Sequence, residues 1–111
     1  MSKEDNFELI EKLETGEFIR DYSGRLCYEI SELSSGKYIE LQRLVRKKFH
    51  LIPMSLRIST PDEIFQSYFS GLKRVGIEWG NWSGFIVVAK NKKAEKLVMD
   101  IGYYLESQLK L

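Results

Sequence analysis

His50 is the only histidine and Cys27 the only cysteine among 111 residues, so these two side chains bound the chemistry open to the chain. A His-based zinc site needs Cys, His or carboxylate partners at tight spacing, and none lies near His50. Ser–His–acid and Cys–His pairs meet only in space, but neither residue stands in a nucleophile motif. His50 closes a basic stretch with helical spacing, where a cationic imidazole suits the helix dipole. Cys27 falls within an alternating segment and reads as a packed thiol. Gly76, Gly80 and Gly84 are four apart, but no Lys-Ser/Thr follows them and they do not open a helix, so turns explain them better than a phosphate loop. The expectation is a non-enzyme without metal or cofactor.

Binding chemistry is better represented. Glu78-Trp79-Gly80-Asn81-Trp82-Ser83-Gly84 places two tryptophans in a glycine-rich hairpin. Alternation puts Trp79 on the face of Ile77 and leaves Trp82 at the turn. There it either folds back over the core or stands out as an aromatic anchor beside Asn81. Glu4, Glu8, Glu11 and Glu14 recur at three- and four-residue steps, one face of a helix. Like charges there repel, so the face is either solvated or answered by a basic partner. Lys90, Lys92, Lys93 and Lys96 form a basic cluster at the start of the last helical segment, against its dipole, and make an alternative binding face. Arg43, Arg46 and Lys47 form a second basic stripe. With Tyr38, Trp79 and Trp82 as stacking groups, these stripes keep a nucleic-acid reading open; the near-neutral pI opposes it.

The composition is that of an ordinary globular domain, 43% hydrophobic and 30% charged. A net charge of +1 hides an asymmetry: residues 1–35 hold nine acids and four bases, the remainder thirteen bases and seven acids. A lone cysteine favours a reducing compartment. The opening residues lack the apolar core of a signal peptide, and the longest apolar run, residues 85–89, is far too short to span a bilayer. The expected location is the cytoplasm.

The elements that must position these groups follow from periodicity. Residues 3–15 read as a helix closed by Gly16, 17–22 and 25–31 as a hairpin, and 37–50 as a helix stopped by Pro53. Residues 51–58 fit a loop or an edge strand. Thr60-Pro61-Asp62-Glu63 has the form of a capping box opening a helix over 60–75, with Gly76 ending it. Residues 77–79 and 85–89 read as strands, the second central and buried, and Asn91 as the cap of a final helix. This order predicts one α+β domain over residues 1–111: a small, mostly antiparallel sheet of about four to five strands covered by about four helices.

The C-terminal half carries a resemblance. A capped helix over Thr60 to Val75, then Gly-Ile-Glu-Trp-Gly-Asn-Trp-Ser-Gly-Phe-Ile-Val-Val-Ala-Lys-Asn over residues 76–91, then a closing helix ending Tyr103-Tyr104-Leu105 resemble the small immunity proteins that bacteria pair with contact-dependent or polymorphic toxins. The likeness is one of size, layout and character, with no diagnostic motif. It implies a non-enzyme that binds the C-terminal domain of a cognate toxin, such as a nuclease, and blocks it; no functional residue is carried over. A partner interface over Trp82, Asn81, Glu78, Glu4, Glu8 and Glu11 is the corresponding expectation. Immunity proteins against nucleases are often acidic, and only the N-terminal part of this chain is.

Overall fold

The computed structural model describes residues 8–109. In chain order they form β1 (Glu8–Lys12), β2 (Glu17–Arg20), β3 (Leu26–Ile30), α1 (Ser35–Phe49), β4 (Ile52–Pro53), β5 (Ile58–Ser59), β6 (Glu63–Ser70), β7 (Lys73–Gly80), β8 (Gly84–Ala89), a 3-10 turn (Lys92–Ala94) and α2 (Glu95–Leu109). All eight strands join one sheet in the order β1-β2-β3-β8-β7-β6-β4, with β5 also on β6. Every pairing is antiparallel. The architecture is therefore α+β, but with eight strands and two helices among the described residues, not about four helices over a sheet of four to five strands.

Two expected helices are strands. Residues 60–75 were expected to be helical because Thr60 and Glu63 match a capping box. The Glu63 N–H does bond Thr60 Oγ1, at 3.1 Å. The Thr60 N–H also bonds the Glu63 carbonyl, at 2.8 Å, and this closes the β5–β6 turn instead of opening a helix. Beyond it the two-residue period wins: Ile64 and Tyr68 are buried, while Phe65, Ser67 and Phe69 face the other way. Aromatic and β-branched side chains suit such a surface. Gly71-Leu72 supplies the two-residue hairpin, with Gly71 at φ 61, as a Gly-first turn requires. Gly76 ends no helix; it lies inside β7, where a Cβ would come within 2.8 Å of Lys90.

The first expected helix, 3–15, also fails where it is described. Glu8–Lys12 is an exposed edge strand on β2, so Glu8 and Glu11 share no helical face; Glu4 lies outside the described residues. Gly16 is no left-handed cap. It is needed because a Cβ there would sit 2.6 Å from the Glu29 carbonyl oxygen and 2.8 Å from the Tyr28 ring. Residues 51–58, left open between loop and edge strand, contribute β4 and the start of β5.

Other elements match expectation. The hairpin β2–β3 and the helix closed by His50 are present, His50 taking the left-handed cap position at φ 54. Strand β8 is central, between β3 and β7. Asn91 precedes the 3-10 turn but makes no cap; its side chain accepts from the Arg74 N–H and donates to the Leu72 carbonyl, tying this corner to the β6–β7 turn.

Both helices cover one face of the sheet. Tyr38, Leu41 and Val45 of α1 and Val98, Ile101 and Leu105 of α2 bury Phe18, Tyr28, Tyr68, Val75, Ile77, Phe85 and Val87. Helix α2 lies close because of Gly102, where a Cβ would meet the Phe18 ring at 2.6 Å. The α2 carboxylate Glu106 accepts from the Thr15 N–H (2.9 Å), the Gly16 N–H (2.7 Å) and the Tyr28 hydroxyl (2.7 Å), fastening the helix to the sheet and to the β1–β2 turn.

The opposite face carries neither helix, and the registers arrange it in rows running across the strands. One row holds Glu17, Glu29, Ile86, Glu78, Phe65 and Ile58. The middle row holds Ile19, Cys27, Val88, Gly76 and Ser67. Two residues further along the strands, Arg25, Lys90 and Arg74 continue into Phe69 and Ile52. Ile19, Cys27 and Val88 form a small buried cluster beneath the long side chains beside them.

Candidate protein-binding site

Three connections meet at one end of the sheet. The β7–β8 turn (residues 81–83) returns through Gly84 at φ 75, whose missing side chain lets the backbone press against Ile30, Ser31 and Glu32. The Asn81 N–H bonds the Asp62 carbonyl at 2.8 Å, joining this turn to the β5–β6 turn. The indole N–H of Trp79 donates to the Leu33 carbonyl and fixes the β3–α1 connection, after which Ser34 caps α1 by accepting from the Lys37 N–H. Glu32, at φ 61, turns the chain there.

Trp82 stands at the tip of this cluster, 88% exposed. It does not fold back over the core; Trp79 does that. Around it lie exposed Glu32, Asp62, Glu63 and Asn81. Residues 31–34, 60–63 and 81–83 include three carboxylates and no Lys or Arg. An exposed aromatic ring among acids, with Ser, Thr and Asn between them, suits a basic protein surface: the ring offers apolar area at low entropic cost, and the charges steer approach.

Some of the residues expected at an interface come together here and others do not. Asn81 and Trp82 are neighbours in the cluster. Glu78 is half-buried on the bare face, 3.5 Å from Lys90 Nζ. Glu8 and Glu11 lie on β1, three strands away from β8, and Glu11 accepts a hydrogen bond from the Tyr103 hydroxyl. The alternative lysines are dispersed toward the other end of β8: Lys90 pairs with Glu78, Lys96 with Asp100, and Lys92 and Lys93 lie on the 3-10 turn. Of the aromatics considered for base stacking, Tyr38 is wholly buried and Trp79 is 8% exposed. Sequence reasoning missed Glu32, Asp62 and Glu63. The usable signal was a carboxylate directly after a turn-forming residue, Glu32 after Ser31 and Asp62 after Pro61.

Cys27 opens no second chemistry. Burial, then Asp21, pushes its thiol up to about 12, with Arg25 opposing. The thiolate is the reactive form, so at neutral pH the native protein is expected to react with a disulfide reagent only as fast as it unfolds. Stopped-flow labelling much faster than the unfolding rate would show that the bare face opens locally. Among the described residues no group of three or more His, Cys, Asp or Glu is placed to hold a metal ion, and no helix is long and apolar enough to cross a membrane. Comparison with protein-family models, with curated proteins and with solved structures finds no match in any of the three.

Proposed function

We propose that the chain is a non-catalytic immunity protein that binds a cognate toxin domain in the cytoplasm and blocks it, using the loop end around Trp82. The observation that carries this reading is the 88% exposure of Trp82 on a loop end whose three connections hold three acids and no Lys or Arg. A large indole left in water gains most when a partner covers it, and a toxin that acts on nucleic acid presents the basic surface that such acids complement. The resemblance in size to immunity proteins points the same way; the layout does not, since residues 60–75 lie in strands β6 and β7 and their turns instead of a helix.

The test begins with the toxin. A gene beside this one, encoding a large secreted protein with a variable C-terminal domain, supplies the candidate. Co-expression of that domain with this chain is expected to protect cells, and the purified pair to form a complex. Trp82→Ala is expected to raise the off-rate at least tenfold, the kinetic form of losing an anchor worth about 2 kcal/mol. Asp62→Lys with Glu63→Lys is expected to lower the on-rate at low salt while leaving the fold intact. If neither variant changes binding or protection, the loop end is not the interface.

A further inference from the structure

The bare face of the sheet pairs with a second copy of itself. We infer this from the order of charge across it. The first row carries Glu17, Glu29 and Glu78; the row on the far side of the middle carries Arg25, Lys90 and Arg74. The middle row, with Ile19, Cys27, Val88 and Gly76, carries no charge. Acid, neutral and base therefore follow one another along the strand direction.

Two such faces can be stacked about a two-fold axis running along the middle row. That rotation reverses the strand direction and keeps each strand over its own counterpart. Glu78 then comes over Arg74 of the second copy, Glu29 over its Arg25, and each contact occurs twice. At the β6 end the apolar positions obey the same operation, whereas on β8 it brings Ile86 over Lys90. Phe65 comes over Phe69, and Ile58 of β5 over Ile52 of β4, since both short strands lie along β6. These include three of the exposed large apolar groups: Ile52 at 52%, Ile58 at 45% and Phe65 at 39%. Only Glu17 over Asp21 sets like against like, toward one edge, and Asp21 is held by Arg25 at 3.0 Å. A two-fold axis along the strands would instead set acid row on acid row. Twisted sheets stack with their strands within about 30° of each other, which this arrangement permits.

Six strands and three rows span about 600 Å² on each copy, near the lower end for a specific interface. The middle row is recessed, so the charged ridges and the apolar end over β4, β5 and β6 carry the contact. Both loop ends remain uncovered and point in opposite directions, so the pair would present two Trp82 sites. The pairing does not depend on the partner proposed above.

Sedimentation velocity on the full chain at low salt tests it. At about 100 µM, where micromolar association is populated, the species is expected to have twice the 13.0 kDa mass of the chain. Glu78→Lys sets Lys over Arg74, and Arg74→Glu sets Glu over Glu78. Each is expected to weaken self-association at least tenfold, with circular dichroism confirming a folded chain. Arg74 is exposed near the start of β7, so its variant keeps the test open if Glu78→Lys fails to fold. Mixed in equal amounts, the two variants regain both opposite-charge contacts and are expected to form a heterodimer. Salt at about 1 M, with a screening length near 3 Å, is expected to weaken the wild-type pair. A monomeric wild type at low salt, an Arg74→Glu variant that still dimerises, or folded variants that fail to restore pairing when mixed would each overturn the inference.

Discussion

Val87→Asp is expected to leave no cooperatively folding protein. Val87 is fully buried, paired with Tyr28 on β3 and Ile77 on β7, beneath the helices. An aspartate there would carry an unpaired charge into the centre of the core or be held protonated, at a cost of several kcal/mol. Small domains have about 5–15 kcal/mol in total, and the strand affected joins the two halves of the sheet. Val87→Ala, which removes volume without adding charge, is expected to remain folded with a loss of about 2 kcal/mol. Urea titration followed by circular dichroism distinguishes the two. A soluble Val87→Asp protein with a sharp transition would contradict the central placement of β8.

Glu106→Ala is expected to be the most damaging change at a partly exposed residue, lowering stability by about 2–4 kcal/mol. It strands the Tyr28 hydroxyl against the core and removes the acceptor for two backbone N–H groups of the β1–β2 turn; of these the Tyr28 hydroxyl and the Gly16 N–H belong to buried residues and cost about 1–3 kcal/mol each without a partner, while the exposed Thr15 N–H can turn to water. Burial pushes the Glu106 carboxyl up, but the bonds from Tyr28, Gly16 and Thr15 outweigh it and hold the group below its ordinary value. The folded pKa is thus depressed relative to the unfolded one. Its contribution to stability is complete above the unfolded value of 4.5 and is lost as pH falls through the lower folded value. Melting temperatures measured from neutral to acid pH should therefore fall less steeply for Glu106→Gln than for the wild type. Equal slopes would mean that the carboxylate is not the fastening group.

The sequence was most legible where a single period had no rival. Leu26, Tyr28 and Ile30 alternate toward the core, the run over 85–89 is too apolar for anything but an interior strand, and the spacing of Leu97, Val98, Ile101 and Leu105 serves only a helix. Reading failed where short-range chemistry admitted two outcomes. A Thr-Pro-Asp-Glu turn with a Thr–Glu hydrogen bond can open a helix or close a β-turn. Here the choice fell to the pairing of β6 with β7, a tertiary matter. In β1, a bulge between Leu9, which pairs with Ile19, and Glu11, which pairs with Phe18, breaks simple alternation, so a weak three-residue spacing in 7–13 looked helical. That Trp82 sits in a turn was legible; whether it folds back or stands out was not, and it stands out. The acids of the same loop end were not legible, because Glu32, Asp62 and Glu63 join it only after strands distant in sequence align.

The bulge in β1 has a consequence for how copies of this molecule avoid one another. An open sheet invites strand-by-strand growth into aggregates through its unpaired edges. Among the described residues, β1 forms one edge, kinked between Leu9 and Glu11 and studded with Glu8, Glu11 and Lys12. Along the other, β6 is flanked by β4 and β5, two residues each and too short to template an incoming strand. Sideways polymerisation is thus discouraged at both margins, and an encounter between copies is directed to the broad face, where a symmetric contact closes on itself after two chains.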